Sequence, residues 1–234
     1  MLFIRSALAV GMHTLLAISF WISGDAEPWR SAADYWILSF AFAEFINLAL
    51  LGRVARLEGI RLRDVYNLGG RERGRDLAWT GVALLVAAPL VLIPSLIMST
   101  ALWGENRGAV EDLIFQPVAI WAAWATLFVF PVIHALTELP TYFGYVMPRL
   151  QALSARIWLP FIVTASVLSV QHMFLPLLFD WRYIVWRAVM FLPLTLWLGW
   201  IILRRPTSLP YVAAAHGLLD LSLPLLVLQA SLGA

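Results

Sequence analysis

Two histidine–carboxylate pairs interrupt otherwise apolar stretches of the chain: His134 with Glu138, and His216 with Asp220, each pair four residues apart. On an α-helix that spacing puts both members on one face, one turn above the other. His172 stands beside Gln171 in a third apolar stretch, so three of the four histidines lie within such stretches beside polar partners. Imidazoles and carboxylates gathered in one place support three kinds of chemistry. A carboxylate can take a proton from water as a general base. Two or three imidazoles with a carboxylate form an ordinary zinc set with one open position. A chain of ionisable groups can carry protons through a bilayer. The plainer alternative is a hydrogen-bonded link between helices, worth only about 0.6–2 kcal/mol in a membrane. Two pairs plus a histidine on another helix exceed what such links require, and point to one shared site.

Other polar residues in the apolar stretches read differently. Glu44, with Asn47 nearly one turn later, either reaches the same cavity or makes a helix-packing hydrogen bond. His13 stands alone near one end of its stretch, as an interfacial or packing histidine does. Arg187 lies close enough to the start of its helix to snorkel to the surface.

The elements that must position these groups follow from composition. Of 234 residues, 62% are hydrophobic and 13% charged, which places the chain among membrane proteins. Hydrocarbon offers no partner to a free backbone N–H or C=O, so only helices or a closed barrel can span it. Runs such as Ala83 to Met98 and Ile184 to Leu203 lack the period of two that a barrel strand shows. The expected fold is therefore all-α, a polytopic transmembrane bundle of seven or eight helices forming a single membrane domain over residues 1–234. A span needs about 20 apolar residues, which places spans near 4–23, 34–52, 77–99, 113–135, 157–179, 183–203 and 209–230. The segment from Ile133 to Leu150, broken by Pro140 and Pro148, is either an extension of its span or a separate helix.

Charge sets the expected orientation. All sixteen basic residues are arginine, and seven of them (Arg53, Arg56, Arg61, Arg63, Arg71, Arg73, Arg75) crowd the loop 53–76. Such a loop is expected on the cytoplasmic side, with a short interfacial helix within it. With the N-terminus also inside, twelve of the sixteen arginines face the cytoplasm, Arg5 among them. Ser23-Gly24-Asp25-Ala26 is a poor signal-cleavage site, so the first apolar stretch reads as a retained helix. A formal net charge of +2 gives no reason to expect a nucleic-acid partner, and the absence of cysteine excludes disulfides and thiolate chemistry. The exclusive use of arginine suggests a GC-rich coding sequence and hence a bacterial inner membrane.

Three motifs in order resemble those of the CPBP (Abi) family of intramembrane proteases, which includes the type II CAAX prenyl endopeptidases. The family pattern Glu-Glu-x-x-x-Arg, then Gly-Tyr and Pro-Arg-Leu, is similar to the run from Glu138 through Gly144-Tyr145 to Pro148-Arg149-Leu150. Phe-x-x-x-His resembles Leu168-Ser169-Val170-Gln171-His172, and His-x-x-x-Asn/Asp resembles His216-Gly217-Leu218-Leu219-Asp220. The likeness covers roughly residues 113–230, the expected catalytic core. Two positions depart from it: Leu139 stands for the second glutamate and Phe143 for the arginine. These positions are four apart and could pair on one helical turn. Exchanging both members of a buried ion pair for apolar residues is often near neutral, so what is missing reads as scaffolding.

The resemblance implies an intramembrane endopeptidase with Glu138, His172, His216 and Asp220 as catalytic residues and His134 and Glu44 in support. Glu138 takes a proton from water that His172 holds, while His216 and Asp220 line the oxyanion side. Asp220 donates there only when protonated; ionised, it orients His216 instead. The preferred form needs no cofactor, and the alternative is zinc held by Glu138, His172, His216 and Asp220. The expected partners are a peptide or membrane-protein substrate and the lipid bilayer. Two rival functions remain: a catalytically inactive relative that binds a partner helix or peptide in the same cavity, and a proton or ion relay.

Overall fold

The computed structural model of the chain describes residues 1–68, 72–106 and 109–233; Arg71 of the arginine-rich loop lies outside them. Its described part is an all-α bundle, as expected for a polytopic membrane protein. Six helices are long and apolar enough to cross a membrane: α1 (Ile4–Ile22), α2 (Trp36–Leu57), α3 (Arg73–Asn106), α4 (Ile120–Ala152), α6 (Trp181–Arg204) and α7 (Pro206–Gly233). A shorter apolar helix, α5 (Trp158–Met173), stands between α4 and α6 in the chain. The seven correspond in order to the seven expected spans. Their lipid-facing sides explain the many exposed large apolar residues, such as Leu85, Leu92 and Ile97 on the sparsely covered α3.

Boundaries differ from the sequence reading where proline intervenes. The span expected from 113 instead starts at Ile120, after residues 115–119 that are not helical. The segment from Ile133 to Leu150 is not separate: α4 runs on to Ala152 through a π-helical stretch, Pro140–Val146. Pro140 has no N–H to offer the Leu136 carbonyl four residues back, and that oxygen accepts from the Tyr66 hydroxyl at 2.6 Å. Tyr66 belongs to the turn after a four-residue helix, Leu62–Val65, in the expected loop. Burial pushes its phenol up to about 12, so it keeps the proton it donates. Gly144 permits this close approach, because a Cβ there would collide with the Val65 carbonyl.

Packing runs α1 on α2, α2 on α4, α4 on α7, and α5 and α3 on α6. Two apolar clusters result. One gathers Trp36, Phe40, Phe130, Tyr183 and Trp186; the other gathers Tyr142, Phe143, Phe161, Leu198 and Ile202. Along α4 the chain passes from the first (Phe130, Ile133) to the second (Leu139, Tyr142) through His134 and Glu138.

Candidate active site

The site is built around Glu138, which is 1% exposed and contacted from its own helix and three others. Its two oxygens have separate partners. Oε1 accepts from Arg5 Nη1 of α1 at 2.9 Å and from Gln171 Nε2 of α5 at 2.6 Å. Oε2 faces His134 Nε2 at 3.0 Å and His216 Nε2 of α7 at 2.7 Å. The four-residue spacing of His134 and Glu138 therefore does what helical geometry dictates, one turn on one face. His216 reaches them because Gly217 lets α7 lie against α4: a Cβ at 217 would sit 2.6 Å from both the Pro131 carbonyl oxygen and Ala135 Cβ.

Behind this first ring stands a second. Arg5 is ion-paired with Glu44 of α2, and His134 Nδ1 lies 3.2 Å from Glu44 Oε1. Asn47 donates to Thr141 at 3.0 Å, one turn from Glu44, and Tyr142 donates its hydroxyl to Gln171 Oε1 at 2.8 Å. Glu44 thus joins the shared network, and its contacts with Arg5 and His134 are also hydrogen bonds between helices. Arg5, counted from the sequence among charges at the membrane face, is 1% exposed and sits in the middle of the network. A single basic residue near the start of a span looks the same in sequence whether it snorkels or turns inward. The carboxylates that hold it inward lie 39 and 133 residues away.

Asp220 lies where α7 is interrupted between Leu219 and Ser222. Pro224 cannot donate to the Asp220 carbonyl, which accepts from Leu223 N at 3.2 Å instead. The Asp220 carboxylate points back into the site: Oδ2 is 3.4 Å from His216 Nε2 and 3.5 Å from His134 Nε2. It has no hydrogen-bond partner among the described residues.

His172 is placed differently from the sequence reading. Its Nδ1 donates to the Leu168 carbonyl oxygen at 2.9 Å, and its ring packs on Phe191 at 4.1 Å. Among the described residues it makes no hydrogen bond to Glu138; the neighbouring Gln171 makes that contact. With Nδ1 donating to the backbone, Nε2 carries the lone pair whenever the ring is neutral. In the set that could hold a metal, His134 stands where His172 was expected: donor atoms of His134, His216 and Asp220 all lie within 4.8 Å of one another. A cavity of about 20 Å³ between α3, α6 and α7 touches His216 and is otherwise lined by groups such as Thr80, Ala83 and Leu198. It has the volume of one water molecule, but its lining is almost wholly apolar.

The other residues singled out in the sequence fall outside the site. Leu139 and Phe143 are both in the second apolar cluster, with Phe143 against Gly199. His13 is 2% exposed and packs against Trp29, in keeping with a packing histidine. Arg187 does not snorkel. It is 5% exposed, ringed by Trp36, Tyr183, Trp186 and Phe191, and donates to the carbonyl oxygens of His172 and Leu175.

A carboxylate fixed on one oxygen by two donors and facing two imidazoles with the other is equipped to exchange a proton at that second oxygen. Comparison with known protein families, with characterised proteins and with solved structures found no match for this chain.

Proposed function

We propose that the chain is an intramembrane endopeptidase of the CPBP type, in which Glu138 is the general base that takes a proton from the attacking water. The observation that carries this reading is the division of labour on Glu138: Arg5 and Gln171 hold Oε1, leaving Oε2 to His134 and His216. Peptide hydrolysis needs a base for water and donors for the oxyanion of the tetrahedral intermediate. His216, whose Nε2 is 2.7 Å from Glu138 Oε2, and Gln171 are the groups nearest the base. His172, with a free Nε2, orients the substrate or its water. The substrate is a peptide segment of a membrane-bound or membrane-spanning protein. The site lies in a bacterial inner membrane, with the N-terminus and the arginine-rich loop 53–76 on the cytoplasmic side.

The test is turnover of membrane-derived peptides by the chain purified in detergent, compared with Glu138→Gln and His172→Ala. Cleavage by the unaltered chain, lost in Glu138→Gln, is expected. Cleavage that survives both substitutions defeats the mechanism, and absence of cleavage in all three favours a binding protein with the same cavity. A second reading draws on the unbroken run Glu44–His134–Glu138–His216 across three helices, which a proton relay could use. Proton flux in liposomes, abolished by Glu138→Gln, would support it instead.

A further inference from the structure

The charges of the buried network do not cancel. Three carboxylates, Glu44, Glu138 and Asp220, converge on it, and one guanidinium, Arg5, answers them. The only other buried arginine among the described residues, Arg187, bonds to backbone carbonyls and to nothing in the network. Two negative charges are left over within a membrane-embedded bundle, where an uncompensated ion is costly. Protons on the imidazoles or carboxylates could cancel that charge, and so could a single divalent cation. Two imidazolium rings with centroids 5.7 Å apart would repel in such a medium.

The hydrogen bonds raise the same question atom by atom. His134 Nδ1 lies between the Glu44 carboxylate at 3.2 Å and Arg5 Nη2 at 3.4 Å; a hydrogen on Nδ1, given to Glu44, leaves a lone pair on Nε2 of the neutral ring. That Nε2 points at Glu138 Oε2 and Asp220 Oδ2, which are acceptors as well. His216 Nε2 points at the same two oxygens. Four atoms able to bind a metal ion thus converge, and Asp220 Oδ2 has no hydrogen-bond partner among the described residues. Its separations from the two Nε2 atoms, 3.4 and 3.5 Å, are those of two ligands on one tetrahedral ion, for which bonds of 2.0–2.2 Å give an edge of about 3.3–3.6 Å. The Glu44 contact is the arrangement that fixes a metal-binding imidazole, a carboxylate on the nitrogen away from the metal.

We infer that His134, His216 and Asp220 form a binding site for a divalent transition-metal ion of the zinc class, with Glu44 as the outer carboxylate that orients His134. Glu138 lies beside the ion and remains free to act as base. The inference rests on the site's geometry and charge, and holds whether or not the chain cleaves peptides.

Cobalt(II) titration of the full chain, purified in detergent and first treated with a chelator, tests it. One equivalent is expected to bind with the intense visible absorption of a four-coordinate site. Asp220→Asn and His134→Ala are expected to weaken binding about 100-fold or more, and Glu44→Gln roughly 10- to 100-fold. His13→Ala, far from the site, leaves binding unchanged. Failure of the unaltered chain to bind, or binding untouched by Asp220→Asn, overturns the inference. Because Asp220→Asn keeps the shape of the side chain, it carries the test even if His134→Ala fails to fold. Metal binding without cleavage leaves this site standing and defeats the peptidase reading; cleavage by a chain that binds no metal does the reverse.

Discussion

Two arginine–carboxylate clusters on the same helix stand at opposite extremes of burial. In the middle of α4, Arg5 and Glu44 beside Glu138 have no exposed side-chain surface. Near its end, Arg149 pairs with Glu58 and stacks on Tyr145, with 32% and 42% of the two charged side chains exposed. The chemistry of each pair is the same, yet the consequences differ. Water screens the outer pair and holds most of what either ion would lose on separation. In the inner cluster nothing but other side chains compensates the charge, so each member is tied to all the rest. An arginine–carboxylate contact in this molecule therefore marks a site in one place and an anchor in the other, and burial alone separates the two.

The largest effect expected from breaking the inner cluster is chemical. Glu138→Gln keeps the shape and hydrogen-bonding reach of the side chain but removes the base, and is expected to lower the turnover number by about 10²- to 10⁴-fold; steady-state cleavage of a membrane-derived peptide measures it. Next comes stability. Arg5→Met leaves Glu44 buried without its cation and is expected to cost about 3–5 kcal/mol, read from unfolding in mixed detergent. Adding Glu44→Gln should recover part of that loss, since only Glu138 is then left without its cation; additive losses would show that Arg5 and Glu44 do not act as a pair.

Smaller effects follow from contact distance and from the outer cluster. Gly217→Ala forces α7 away from the Pro131 carbonyl and is expected to destabilise by about 1–3 kcal/mol, as overpacking does. Turnover should fall too, because His216 withdraws from Glu138; unchanged turnover would detach the two. Arg149→Ala should change stability by no more than about 1 kcal/mol. Hydrogen bonds from Arg149 and then Tyr145 hold the Glu58 carboxyl below its ordinary range. A folded-state value below the unfolded one, about 4.3, means that this contribution is present above that pH and fades as pH falls through the lower folded value. A pH titration of thermal stability in wild type and Arg149→Ala should therefore converge at acid pH.

Part of this arrangement was legible before any coordinates. Apolar run lengths gave the spans because the bilayer, not the partner helices, decides which stretches can cross it. The i, i+4 spacing gave the His134–Glu138 contact because it is local, and intramembrane cost singled out Glu44, His216 and Asp220 as candidates. Gln171, not His172, meets Glu138 directly, a difference of one residue on a helix end. The chain passes there into a 3-10 turn, Gln171–Met173, which changes the direction of successive side chains. The positions of Leu139 and Phe143 teach something related. Both are apolar core, while the carboxylate and guanidinium beside Glu138 come from Glu44 on α2 and Arg5 on α1. No spacing rule within one helix could have revealed that.

What the sequence by itself determined is the class of molecule and its inventory: an all-α membrane bundle in which a few costly ionisable groups are kept within apolar helices. Those properties follow from solvent and local geometry, which act on each segment separately. Only the tertiary structure decided which oxygens of Glu138 meet which donors, that Arg5 turns inward, and that Asp220 shares two imidazoles with Glu138. Such contacts depend on how α1, α2, α4, α5 and α7 are placed against one another, and residues as far apart as Arg5 and Gln171 carry no trace of that placement in their own neighbourhoods.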